Sequence, residues 1–319
     1  MARQQDDALE PTTGAPEPSV KLENSAAEGR LDRLGSKPAP GLYLVATPIG
    51  NLGDISVRAL GVLKGADLIA CEDTRMTGKL LSLLGIAAPP LTPYHEHNAD
   101  RARPALLDKL KAGAAIALVS DAGSPLISDP GWRLVQACRA EHLRVTAVPG
   151  ASAVITALQL SGLAGDRFLF AGFLPSRSTA RRQTARELAL VPSTLVFFES
   201  PHRLAESLAD LAAVLGPRRA VVARELTKMH EEVVEGDLAS LAARYAEQGE
   251  PRGEVVVVIA PPDAEAPVGD EDLDARLAAA IAGGASIKDS ATLIAAETGH
   301  PRRDLYARAL RLARGGEGG

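Results

Sequence analysis

Short apolar runs alternate along this chain with stretches in which apolar residues recur every three or four positions. Residues 42–46, 67–71, 115–119 and 143–148 are apolar-rich and five or six residues long. Runs of this kind, bounded by turn residues, predict strands buried on both faces. Between them, Val57, Leu60 and Leu63 fall on one helical face after Ser56, and further helices are predicted at 74–84, 101–111 and 132–140, with a short strand at 91–94. Strand and helix alternating through short connections predict a mostly parallel sheet covered on both faces. A helix ending near Leu160 leads into a second domain that starts near residues 168–175 and carries strands at 194–199, 219–224, 233–236 and 254–260. That domain also carries a polar helix with Arg177, Arg181, Arg182 and Arg186, and a further helix ending at Leu215. Helical periods return at 271–281, 286–297 and 301–313.

This pattern divides the chain. Residues 1–40 are rich in Pro, Ala, Glu, Asp and Ser without an apolar period, and are expected to be disordered. Residues 41–149 and 150–262 form two α/β domains, 263–270 a Pro-rich acidic linker, and 271–315 a small helix-turn-helix-like module. Composition adds limits. With 3% aromatic residues, the cores must be built from Leu, Val, Ile and Ala. A formal net charge of -5 argues against a wholly basic surface, yet residues 302–314 hold five Arg against one Asp, a local nucleic-acid footprint. Two isolated cysteines, Cys71 and Cys138, suit buried free thiols rather than a disulfide framework. No apolar run approaches the ~20 residues of a membrane-spanning helix, and no signal-peptide apolar region opens the chain, so a cytoplasmic protein is expected.

The candidate chemistry gathers in loops that follow strands. Residues 120–131, Ser-Asp-Ala-Gly-Ser-Pro-Leu-Ile-Ser-Asp-Pro-Gly, follow the 115–119 strand, with Asp129 at an expected N-cap and Pro130 at the first helical position. Loops at the carboxyl ends of strands are where open α/β sheets bind ligands. Residues 47–54, Thr-Pro-Ile-Gly-Asn-Leu-Gly-Asp, form a second such loop. They match neither the P-loop nor the dinucleotide fingerprint. Residues 149–153, Pro-Gly-Ala-Ser-Ala, open a helix with small residues whose free N–H groups suit an anion. Glu72 and Asp73 end another strand beside Arg75; Asp73 reads as a helix cap, while Glu72 stays open between capping and site chemistry. His95 and His97 lack a third ligand at a recognisable spacing, so no metal is expected. In the second domain carboxylates sit beside bases at strand ends: Glu199 with His202 and Arg203, Glu225 with Lys228, and Arg252 with Glu254. Each pair alone reads as a salt bridge; their repetition suggests a polar cleft.

Taken together and in order, residues 44–54, 71–75, 94–98, 119–131, 148–153, 170–175, 197–203 and 223–232 resemble the tetrapyrrole-methylase-like (class III) S-adenosylmethionine-dependent methyltransferases. Within them the chain is similar to the small-subunit (16S) ribosomal RNA (cytidine-2′-O)-methyltransferase family. The resemblance spans about residues 41–260. It implies two α/β domains of the tetrapyrrole methylase type with a cofactor cleft between them, plus the C-terminal helical module. It also implies a homodimer and a small ribosomal subunit as substrate, with neither membrane nor metal.

It carries a cofactor site onto Pro48, Gly50, Asp121, Ala122, Gly123, Ser124, Pro125, Ile127, Ala151 and Ser152. The second domain adds Phe173, Pro201, Leu226, Thr227, Gly253 and Glu254. A ribose hydroxyl is a weak acid, so a general base would help; Glu72, His202 and Glu225 are the candidates, with Glu199 behind them. Arg75, Arg181, Arg182, Arg203, Arg302 and Arg303 are the candidate RNA contacts. A small-molecule tetrapyrrole methyltransferase and a non-catalytic RNA-binding protein on the same fold are the alternatives.

Overall fold

The computed structural model describes residues 37–262, 270–298 and 300–315. The expected disorder of residues 1–40 falls outside these except for 37–40, and residues 263–269 of the linker also lie outside them. The chain forms two compact units.

The first unit comprises the described residues up to Val45, with Ile55–Asp121 and Pro130–Pro149. Its five strands are β1 (Gly41–Val45), β2 (Leu68–Cys71), β3 (Leu91–Pro93), β4 (Ala115–Val119) and β5 (Val145–Val148). All pair in parallel, in the order β3-β2-β4-β1-β5. The helices are α1 (Val57–Gly65), α2 (Thr74–Leu83), α3 (Ala99–Lys111) and α4 (Trp132–Ala140). Side chains of one face, Tyr43, Val45, Ile69, Cys71, Ala117 and Val119, form a core with Ala59, Val62, Leu63 and Leu81 from α1 and α2. The chain leaving β1 continues to β2 on one side, and the chain leaving β4 continues to β5 on the other. The reversal of strand order therefore lies at the carboxyl ends of β1 and β4, where a doubly wound sheet opens a ligand crevice. Both cysteines are buried, as the sequence suggests; burial pushes the Cys138 thiol up to about 11.

The helix expected at 132–140 is α4, but its expected cap is corrected. Asp129 and Pro130 do not start α4. The cap is Gly131, at φ 138°, whose carbonyl accepts from Leu134 and Val135. The preceding loop passes through positive φ at Leu126 and Ser128. The backbone reaches helical geometry only after the glycine, the residue that best tolerates that φ.

The second unit comprises Ala46–Asp54, Ala122–Asp129 and the chain from Gly150. The glycine-rich loops after β1 and β4 thus pack with this unit. Its sheet runs β6 (Phe168–Phe173), β7 (Thr194–Glu199), β10 (Val255–Ile259), β8 (Arg219–Arg224) and β9 (Glu232–Asp237). Only β6 and β7 pair in parallel; the other neighbours are antiparallel. Central β10, Val-Val-Val-Val-Ile, is buried throughout. Val255, Val257 and Ile259 face a core with α7 (Leu204–Leu215) and α8 (Leu238–Gln248). Val256 and Val258 face a second core with Ile49, Leu226 and α5 (Ala153–Leu160). Period-two alternation between two apolar faces is why this strand carries no polar side chain.

On α6 (Ser178–Leu188) the expected stripe of arginines divides. Arg181 is 1% exposed, its guanidinium held by Asp210 at 2.7–2.8 Å and by the carbonyls of Pro175 and Ser176. It ties the start of α6 to α7 and is closed to a phosphate, which corrects its expected role. The reason is helical spacing: 181 and 185 lie four apart on the face packed inward, while 177, 182 and 186 stay exposed.

Helices α9 (Asp270–Ala282), α10 (Ile287–Thr298) and α11 (Arg302–Gly315) close on Leu273, Leu277, Ala291, Ile294, Leu305 and Ala309. Arg308 of α11 pairs with Asp274 of α9. Among the described residues no helix is long and apolar enough to cross a membrane.

Candidate active site

Within the second unit three loops are stitched together by their backbones. Thr47 and Gly123 exchange both backbone hydrogen bonds, N to O at 2.9 and 3.1 Å, a single antiparallel bridge between the loops. Gly123 has φ 76°, and a Cβ there would meet Ile49 at 3.3 Å. Ser124 lies with its hydroxyl 3.5 Å from the Ala151 carbonyl, and Ser152 caps α5 through the Ile155 amide. Gly50 is packed tighter: a Cβ would fall 2.4 Å from Lys228, 2.9 Å from Thr227 Oγ1 and 3.0 Å from the Leu226 carbonyl. Asn51 N donates to Thr227 Oγ1. Gly50 and Asn51 are thus packed against Leu226 and Thr227, and Gly123 and Ser124 against Thr47, Ile49 and Ala151.

Backbone strain concentrates in the same loops. Five described non-glycine residues have positive φ, and four of them are Leu126, Ser128, Glu225 and Thr227. Such conformations cost about 1–3 kcal/mol each and persist where surrounding contacts over-determine them. For Glu225 those contacts are visible. Its amide donates to the Glu254 carbonyl, continuing the β8–β10 register one pair beyond Arg224 and Val255. Its carboxylate accepts from Lys228 Nζ at 2.7 Å and from the Glu254 amide at 3.1 Å. Lys228 also reaches Glu254 at 3.1 Å. Gly253, φ 92°, lies so close that a Cβ would be 2.1 Å from Glu225 Oε1.

The Lys228 hydrogen bond holds the Glu225 carboxyl below its ordinary value, against a burial that works the other way. An anion already committed to a cation and an amide is a weak proton acceptor. Glu225, expected as a base, is therefore the keystone of a latch with Lys228, Gly253 and Glu254. Glu199 is similarly occupied, accepting from Arg203 at 2.7 Å, Ser207 at 2.5 Å and the Ser200 amide. Arg203, expected at RNA, is the cation of that cluster.

His202 stands apart from these networks. It sits on a single 3₁₀ turn after Pro201, 74% exposed at the side chain, with Nδ1 2.6 Å from Glu250 Oε2. Phe173, 58% exposed, lies at the end of β6 with its ring 5.5 Å from Phe198. Ile127 is also exposed.

In the first unit, Asp73 caps α2 through the Arg75 amide, as the sequence suggests. The Arg75 guanidinium takes the same carboxylate and lowers it to about 2. Asp121 accepts from the Asp73 amide at 3.1 Å, tying the end of β4 to the start of α2. Glu72 is half-buried beside them.

Sequence reading paired Glu225 with Lys228 and Glu199 with Arg203, as the structure does; it missed Glu250 and the contacts of Gly253 and Glu254 to Glu225. Glu250 is 48 residues from His202. Only the antiparallel register that sets Glu199 opposite Val255 makes them neighbours.

Residues 41–242 match the family model described as Tetrapyrrole (Corrin/Porphyrin) Methylases, and residues 267–313 match that of the RsmI C-terminal HTH domain. The chain is 49% identical over 275 residues to Ribosomal RNA small subunit methyltransferase I of Mesorhizobium japonicum, covering 86% of this chain and 92% of the relative. The protein of the same name from Synechocystis is 47% identical, covering 85% and 98%. The chain belongs to the ribosomal RNA small subunit methyltransferase I family. Among solved structures, diphthine synthase superposes with a TM-score of 0.54 at 19% identity, covering 69% of this chain and 89% of that one. Cobalt precorrin-4 methyltransferase superposes at 0.52 and 16%, covering 72% and 96%. These two carry the shared fold.

Two tests follow from the family's loops as they stand in this chain. G50A forces a Cβ into Thr227 and the Leu226 carbonyl. Overpacking of this kind costs about 1–3 kcal/mol, expected as a cofactor affinity at least tenfold weaker by calorimetry. The latch gives a pH signature. The folded pKa of Glu225 lies below its ordinary 4.5, so the stabilisation is complete above that value and is lost as pH falls through the folded pKa. Cofactor affinity is expected to hold from neutral pH down to the ordinary carboxylate range and to fall only as pH drops through the lowered folded pKa of Glu225. E225Q should be weaker at neutral pH and should lose the part of the acid dependence that belongs to Glu225.

Proposed function

We propose that this chain transfers the methyl group of S-adenosylmethionine to the ribose 2′-oxygen of a cytidine in the decoding centre of small-subunit ribosomal RNA. Family membership makes it an S-adenosylmethionine-dependent ribosomal RNA methyltransferase; the ribose oxygen and the cytidine are the further step.

The residues fit the cofactor. An amino acid joined to a nucleoside needs backbone donors and acceptors at close approach. The glycine-rich loops supply backbone groups of that kind, with Gly123 at φ 76° and its neighbour Ala122 exposed. Pro48, Gly50, residues 122–125, Ala151, Leu226 and Thr227 would hold it. When bound, it supplies an electrophilic methyl on a sulfonium, so the chain's own contribution is positioning and proton handling.

The His202–Glu250 pair is the observation that supports an oxygen acceptor. With Glu250 accepting from Nδ1, Nε2 is the nitrogen left to take a proton from substrate. That is the arrangement of an oriented general base. Under this reading Glu72 is a site group of the first unit, and the working assembly is a cytoplasmic homodimer, which sedimentation checks.

The test is transfer of labelled methyl to small subunits from cells lacking this protein, followed by nucleoside analysis. Label in 2′-O-methylated cytidine is the expected result. Label on a base would overturn the ribose assignment. Label on a tetrapyrrole and none on RNA would overturn the substrate class.

A further inference from the structure

The C-terminal module holds an open cleft of about 360 Å³ lined by Lys288, Arg302, Arg303 and Tyr306. All four side chains are exposed, with Tyr306 at 41%. Lys288 lies in the first turn of α10, and the other three in the first turns of α11. The carboxylates nearest in sequence are Asp289 and Asp304. Asp289 accepts from the Ser286 hydroxyl at 2.6 Å, and among the described residues none of the three cations has a carboxylate within ion-pairing distance. Every other arginine expected at RNA is tied to one: Arg75 to Asp73, Arg181 and Arg182 to Asp210, Arg203 to Glu199. Cations are also disfavoured at the positive end of a helix. The fold therefore gains nothing from this cluster, whereas a polyanion would.

The cleft pairs that charge with one exposed aromatic face. Phosphate alone would need only the cations; a duplex would offer backbone but no free base face to Tyr306. Single strands are bound where a basic groove tracks the backbone and an aromatic ring stacks a base. We propose that this cleft is a one-nucleotide subsite for the RNA substrate: an unpaired base stacks on Tyr306, and Lys288, Arg302 and Arg303 hold its flanking phosphates. The inference rests on the RNA substrate class proposed above and adds which residues recognise an unpaired nucleotide away from the methyl-transfer site.

The test uses the full chain and two probes: unmodified small subunits, and a single-stranded ten-nucleotide ribo-oligomer carrying 2-aminopurine. Y306A is expected to weaken both by about tenfold and to remove 2-aminopurine quenching, while Y306F and Y306W stay within twofold. R302Q/R303Q should flatten the salt dependence of oligomer binding by roughly 0.7 in log–log slope per arginine, with Y306A leaving the slope unchanged.

Wild-type affinity and quenching in Y306A would overturn the stacking subsite, as would equal binding of the oligomer annealed to its complement. A flattened salt slope in the arginine variant would then leave RNA binding by the module standing. Unchanged subunit binding in both variants and after removal of residues 262–319 would remove the module from RNA recognition altogether. A failure of the proposed methylation itself is read separately, in the nucleoside analysis.

Discussion

H202A slows single-turnover methyl transfer to unmodified small subunits by about a hundredfold, with cofactor affinity unchanged. The expectation comes from eliminating the other carboxylates and bases at the strand ends. Glu199 is spent on Arg203, Ser207 and the Ser200 amide. Glu225 is spent on Lys228 and the Glu254 amide. His202 has one nitrogen oriented by Glu250 and a side chain that is 74% exposed. A base that accepts the hydroxyl proton in the transition state contributes roughly 10²–10⁴-fold. E250Q tests the orienting role: its amide can donate to Nδ1 and favours the opposite tautomer, so a smaller loss of about tenfold is expected with cofactor binding intact. Transfer by H202A within threefold of wild type would assign the rate to positioning and move the search for a base to Glu72, tested by E72Q.

R181A lowers stability by about 3 kcal/mol, because it leaves Asp210 buried without its main partner. Arg182 and Ser178 still reach Asp210, at 2.6 and 2.9 Å, so the loss lies at the low end for a broken buried pair. In a body of this size the shift corresponds to a fall in Tm of roughly 6–12 °C. R181M/D210L, which removes both charges, should recover part of it. The salt dependence of subunit binding should match wild type in both variants. An R181A protein with unchanged Tm and a flattened salt slope would return Arg181 to the RNA surface.

These two cases mark where sequence reasoning stops. The arginines of α6 look alike in the chain. A spacing argument places them broadly on one face, yet a shift of one residue separates buried Arg181 from exposed Arg182. Which side of the helix meets α7 depends on where Asp210 lies, 29 residues away. His202 drew attention as a titratable residue at a strand end, but nothing local distinguishes it from Glu225 or Glu199. The distinction comes from what each side chain touches.

The α4 boundary makes the same point at the level of the backbone. Asp129-Pro130 carries the local signals of a helix start. The positive φ at Leu126, Ser128 and Gly131 overrides them, so the cap is Gly131 and the helix begins at Trp132, where its amphipathic run begins.

By itself the sequence determined most elements, because each follows from short-range periodicity: five strands of a mostly parallel sheet in one set, a final apolar valine-rich strand in the other, and three terminal helices. It also determined the family, because the loop motifs at the strand ends occur in a fixed order that no single loop carries. Tertiary structure decided the roles of the charged residues. The antiparallel registers of β10 with β7 and β8 bring Glu250 to His202 and Glu254 to Glu225 across 48 and 29 residues. A carboxylate's chemistry is set by the donors within hydrogen-bond reach, and those donors are distant in the chain.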